Sequence, residues 1–159
     1  MLRKVFSVFL LTFLVFFASC AKKEVSYLFV LNAKAGKLNA QAGTLVLTDV
    51  SKSVFFFTDR PNRRAGKMPM NDFLSAWTQG SDSFKKDHPN ASVVGLLSTK
   101  DAPFTDIAVI LSRPNYNSAR STLTFSVAPV GKEALVSGDF DEIVAFVDGL
   151  SPGEMYPGI

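Results

Sequence analysis

Apolar residues that recur at every second position, in short runs broken by turn residues, constrain this chain more than any other feature. Val25, Tyr27, Phe29 and Leu31 share one parity, and Leu45 and Leu47 alternate with Thr44, Val46 and Thr48. Ser53 to Thr58 carries Val54-Phe55-Phe56-Phe57, and further runs cover Ala91 to Ser98, Thr105 to Ser112 and Ser121 to Ala128. In the last run Leu123, Phe125 and Val127 fall on one side, with Thr122, Thr124 and Ser126 on the other. Successive side chains of a strand point to opposite faces, so this pattern means strands with one wet face. Turn residues punctuate the runs at Ala35-Gly36-Lys37 with Gly43, at Asp101-Ala102-Pro103 and at Arg113-Pro114-Asn115-Tyr116-Asn117. Strand–turn–strand spacing without helical crossovers predicts a mainly β fold, an antiparallel β-sandwich-like domain with one short helix at about 69–79.

Met70, Phe73, Leu74 and Trp77 supply that helix with apolar residues at i, i+3, i+4 and i+7. Pro69 suits the first turn and Gly80 the stop. For 140–148 two readings compete. Asp139-Phe140-Asp141-Glu142 has helix-capping character, but Ile143 to Val147 is short, β-branched and aromatic, which favours a final strand. The triplet Phe55-Phe56-Phe57 must place rings on both faces, and is expected in a strand covered on both sides.

The amino terminus is of another kind. Arg3 and Lys4 precede Val5–Phe17, thirteen residues interrupted only by Ser7 and Thr12. Such a helix spans about 20 Å, against a hydrocarbon core of about 30 Å, which suits a cleaved export signal. Phe17-Ala18-Ser19-Cys20 resembles the lipobox of bacterial lipoproteins. That resemblance implies a diacylglycerol thioether on Cys20, cleavage before it and acylation of the new amino terminus. Several acyl chains together would hold the product on a bilayer. Ala21 stands where the enteric sorting rule would place a retention Asp, which favours the periplasmic face of the outer membrane. The expected organisation is therefore a signal peptide at 1–19, a lipidated cysteine and tether at 20–24, one β-rich domain at 25–150 and a loose tail at 151–159.

Charge excludes one class of partner. The chain has 17 basic and 14 acidic residues, and removal of Arg3 and Lys4 leaves 15 against 14. A domain so near neutrality, with no basic stripe, is not a nucleic-acid binder. Its lone cysteine forms no internal disulfide, and its lone histidine, His88, excludes a metal site built on two imidazoles. Asp139, Asp141 and Glu142 lack the spacing and glycine of a calcium loop. No nucleophile elbow, phosphate loop or dinucleotide glycine pattern occurs, so no cofactor is expected.

One segment concentrates polar chemistry. Phe57-Thr58-Asp59-Arg60-Pro61-Asn62-Arg63-Arg64-Ala65-Gly66 leads into the Met70–Trp77 helix and then to His88 and Asn90. Arginines beside an aspartate at a strand end can fork onto a carboxylate or phosphate. The order Phe-Thr-Asp-Arg-Pro-x-Arg-x-Ala-Gly, then Phe73 and Trp77, Ser83-Phe84 and Pro89-Asn90-Ala91, resembles a group of uncharacterised secreted bacterial proteins. The resemblance covers roughly Thr44 to Val130; it implies a small exported β-rich domain and brings no activity with it. Asp59, Arg60, Arg63, Arg64, Trp77, His88 and Asn90 form the candidate cluster. Its architectural reading has Asp59 accepting backbone N–H groups, Arg60 or Arg63 pairing with it or covering Trp77, and Asn90 in a turn. The expected function is a non-enzymatic, lipid-anchored module binding a protein or envelope component. The alternatives are an enzyme using Asp59, Arg60 and His88 in one pocket, and a purely structural envelope protein.

Overall fold

The computed structural model describes residues 26–61, 63–78, 83–99 and 104–149. The strands are β1 (Tyr27–Asn39), β2 (Thr44–Val50), β3 (Ser53–Thr58), β4 (Ala65–Pro69), β5 (Asn90–Leu97), β6 (Phe104–Asn117), β7 (Thr122–Pro129) and β8 (Gly138–Gly149). The helix α1 covers Met70–Ser75. All pairings are antiparallel, in the order β2-β7-β6-β5-β8-β1-β3-β4. The expected final strand is present as β8.

The architecture differs from the expected sandwich. β1 also pairs with β2, so six strands close into a barrel and β3 and β4 extend it. The long strand β1 makes this possible. One edge of β1 pairs with β8 along most of its length; the other carries β3 at Tyr27–Val30 and β2 at Ala33–Asn39. A strand this long reaches a second partner that a short run ending at Leu31 would not. Length was hidden because Ala35-Gly36-Lys37 reads as a turn. In the fold these residues lie inside β1, and the turn falls at Ala40–Gly43. Gly36 is buried in the second half of β1, and only glycine fits there because Ile143 occupies the space a side chain would need; a Cβ would lie 2.7 Å from Ile143 Cδ1.

Closure also needs bent strands. Tyr27, Phe29 and Leu31 point inward in the first half of β1, but Gly36 and Leu38 do so in the second, a change of parity. β8 changes likewise between Phe140 and Ile143, and β2 between Leu47 and Val50, where Asp49 has φ 52°. These changes lie side by side, because Ala33 faces Val50 and Ile143 while Gly36 faces Leu47 and Phe140. β6 bends similarly. Its expected turn, Arg113–Asn117, is strand, with a register shift between Ser112 and Asn115 and φ 49° at Arg113. The turn expected at Asp101–Pro103 lies outside the described residues.

One apolar cluster fills the barrel, as expected when so few strands leave room only for side chains. α1 and the turns after it plug the end where β1 begins. Phe73 meets Phe29 and Trp77 at 5.1 and 5.4 Å, and Trp77 meets Phe84 and Phe125 at 4.7 and 5.8 Å. The helix is shorter than its apolar spacing predicts. After Ser75 the backbone tightens into i to i+3 bonds through Thr78, which aims Trp77 into the barrel end. β4 was not expected from Ala-Gly-Lys-Met-Pro, a sequence poor in strand formers. It exists because β3 offers it an edge. The phenylalanine triplet is covered on one side only: Phe56 is 5% exposed, whereas Phe55 and Phe57 are 44% and 47% exposed.

Candidate functional site

The candidate cluster sits at the end of the barrel where the described chain begins and ends. Tyr27, the first residue of β1, pairs with Gly149 of β8 on one side and with Thr58 of β3 on the other. The turn from Asp59 to Arg64 thus projects beside the entry of the chain. It is closed by the backbone bonds of a hairpin: Thr58 N–H donates to Arg64 O (2.8 Å), and Arg63 N–H to Asp59 O (3.2 Å). Arg64 N–H donates to Thr58 Oγ1 (2.7 Å). Arg60 N–H donates to the carboxylate of the preceding Asp59 (2.6 Å), a local side-chain–backbone bond at the start of the turn. Arg63 adopts φ 44° in this turn. The side chains of Arg60, Arg63 and Arg64 are exposed, with no salt bridge to a carboxylate among the described residues.

Trp77, His88 and Asn90 lie apart from that turn. Trp77 is 6% exposed and surrounded by aromatic rings, so no arginine covers it. Among the described residues its buried Nε1–H has no hydrogen-bond partner, a cost of about 1–3 kcal/mol that the ring contacts offset. His88 Nδ1 bonds the Phe84 carbonyl at 2.7 Å and locks the turn before β5. Asn90 opens β5 opposite Ile110 rather than forming a turn. In register, Thr58, Tyr27 and Gly149 are neighbours and β5 lies one strand beyond β8. Three strand spacings, about 14 Å along the sheet, separate the Asp59 turn from the Pro89 end of β5. Asp59, Arg60 and His88 therefore hold separate positions. Cys20 lies outside the described residues.

A hollow that sequence reasoning missed lies at the opposite end. The irregular segment between β7 and β8 folds over the rim formed by β5 and β6. It partly encloses about 320 Å³, lined by Leu97, Ile107, Leu135 and Phe140 together with the exposed Asp106 and Glu133. Ser137 Oγ accepts the Ala40 N–H (2.9 Å) and pins this segment to the turn after β1. Asp106 accepts the Ser92 hydroxyl (2.6 Å). Val136, beside the hollow, is 71% exposed. Its place after β7 in a stretch without strand alternation was the available signal, but nothing in the residues themselves shows what they cover. Among the described residues no three His, Cys, Asp or Glu side chains gather as a metal site.

These features define a small antiparallel barrel of six strands with a two-stranded extension, plugged at one end and hollowed at the other. Comparison with family models, curated proteins and solved structures gives no match to this chain.

Proposed function

We propose that this protein is a lipid-anchored component of the bacterial cell envelope whose barrel binds an envelope component or protein segment without transforming it. The observation carrying this reading is the polarity of the barrel. Both terminal strands meet at one end, so a lipid on Cys20 holds that end near the bilayer, while the hollow under Glu133–Ser137 opens at the other. A space of about 320 Å³ is at the small end of ligand pockets. Its mainly apolar lining, with the exposed carboxylates of Asp106 and Glu133 among it, suits an apolar side chain or short acyl group carrying a cation. Binding is favoured over catalysis by the separation of the candidate polar groups: a general base must reach its proton directly or through one water. Asp59 instead serves a turn and His88 a carbonyl.

The test has two parts. Mass spectrometry of the natural product is expected to show a diacylglyceryl cysteine as the first residue; an intact Met1 or a free thiol there refutes the anchor. A photo-crosslinking residue at Val136, in cells, is expected to capture one defined component, with loss of that adduct on Phe140→Trp, which fills the hollow. Equal labelling from Val136 and from Thr48, exposed at mid-barrel, would refute the binding reading.

A further inference from the structure

The outer face of the barrel next to the chain entry is apolar where an ordinary strand surface would be wet. Phe55 and Phe57 stand exposed on β3, facing Val30 and Leu28 of β1 in register. Leu28 and Val30 are only partly covered, and Phe146 of β8 continues the stripe opposite Val30. Cross-strand from Phe55 and Phe57, β4 presents exposed Lys67 and Ala65. The turn joining β3 to β4 adds exposed Arg60, Arg63 and Arg64. Four cations thus border the stripe, against the carboxylates of Asp59 and Asp148, of which Asp59 is engaged by a backbone N–H.

We propose that this face lies on the surface of an anionic bilayer, with Phe55 and Phe57 at the level of the headgroups and Arg60, Arg63, Arg64 and Lys67 on anionic lipid. The proposal rests on the anchored reading above. Cys20 precedes Tyr27 by seven residues, so the anchor lies within about 25 Å of the start of β1. Phe57 faces Leu28, one residue past that start, a single strand spacing away. A tether so short brings this end of the barrel to the membrane in any case, and the face it brings is the one with exposed aromatics ringed by arginine. An apolar face carrying Phe or Leu and bordered by Lys or Arg is the pattern of surfaces that settle at the headgroup boundary, the cations snorkelling to the lipid phosphates. A basic residue close to an anionic leaflet strengthens attachment about five-fold. The consequence is orientation: with this face down, the hollow at the far end is held away from the lipid.

The experiment uses the natural lipidated chain, reconstituted in phosphatidylcholine vesicles with about 30% phosphatidylglycerol. A thiol placed at Ala65 or at Val136 carries an environment-sensitive dye, which brominated lipids quench on contact. The expected result is a blue-shifted, quenched dye at position 65 and a water-exposed dye at 136. The signal at 65 should be lost in the double variant F55S/F57S and weakened at least two-fold in R60Q/R63Q/R64Q, each checked for folding by Trp77 fluorescence. A water-exposed dye at both positions overturns the proposal while leaving the anchor intact. Dye labelling at Cys20 in the natural product shows instead that the anchor reading has failed. The same chain is then sedimented with the vesicles, and absence of any salt-sensitive binding overturns the face as well.

Discussion

Three consecutive phenylalanines offer a sharp test of the barrel, because one substitution made three times should have very unequal effects. Phe56 is 5% exposed, its ring lies 5.9 Å from that of Tyr27, and it lies over Gly66, where an added Cβ would meet the ring. Phe56→Ala removes a fully packed ring and leaves a void, a loss of about 3–5 kcal/mol. Phe55 and Phe57 keep nearly half their surface in water. Each therefore has about half of the ordinary 1.5–3 kcal/mol burial term to lose, or about 1 kcal/mol. For a domain of this size 1 kcal/mol shifts Tm by about 4 °C, so Phe56→Ala should melt about 12–20 °C lower and its neighbours about 4 °C lower. Urea and thermal denaturation followed by circular dichroism and Trp77 fluorescence measure both quantities in the absence of lipid. Losses equal within a factor of two at the three positions would mean that β3 is covered on both faces, and would refute the outward aromatic stripe.

Further outcomes follow from single contacts. Gly36→Ala should destabilise by about 1–3 kcal/mol in denaturant titrations, because the new Cβ meets Ile143 at 2.7 and 3.0 Å inside a closed barrel. Trp77→Phe should cost about 1 kcal/mol or less, since the smaller ring also removes the unpartnered indole N–H, whereas Trp77→Ala should cost about 3–5 kcal/mol. Asp59→Ala should lose about 1 kcal/mol or less with its exposed bond from Arg60 N–H, and leave adduct formation from Val136 unchanged.

The candidate cluster shows how far residue types alone carry a reading. Asp59 beside three arginines has the composition of an anion site, and the same composition serves a hairpin turn once Arg60 N–H and Arg63 N–H find their acceptors at Asp59. His88 and Asn90 follow the helix in sequence, yet β1 and β8 stand between them and the arginine turn. The hollow beneath Leu135 was illegible because its walls come from β5, β6 and β8.

Local alternation determined a good deal unaided. Strand character in β2 and β7 follows from period-two apolar residues, in β3 and β5 from short apolar runs, in β8 from β-branched and aromatic content, and the helix from the spacing of Met70, Phe73 and Trp77, because these patterns depend only on neighbours along the chain. The closing of the sheet did not follow. Whether Gly36 ends a strand or lies within one depends on Ile143, more than a hundred residues away, occupying the space beside it. Which of three identical rings is buried depends on the parity that β1 and β4 impose on β3. Barrel rather than sandwich is a matter of which edges meet, and edges meet through backbone hydrogen bonds that carry no signature in the side chains.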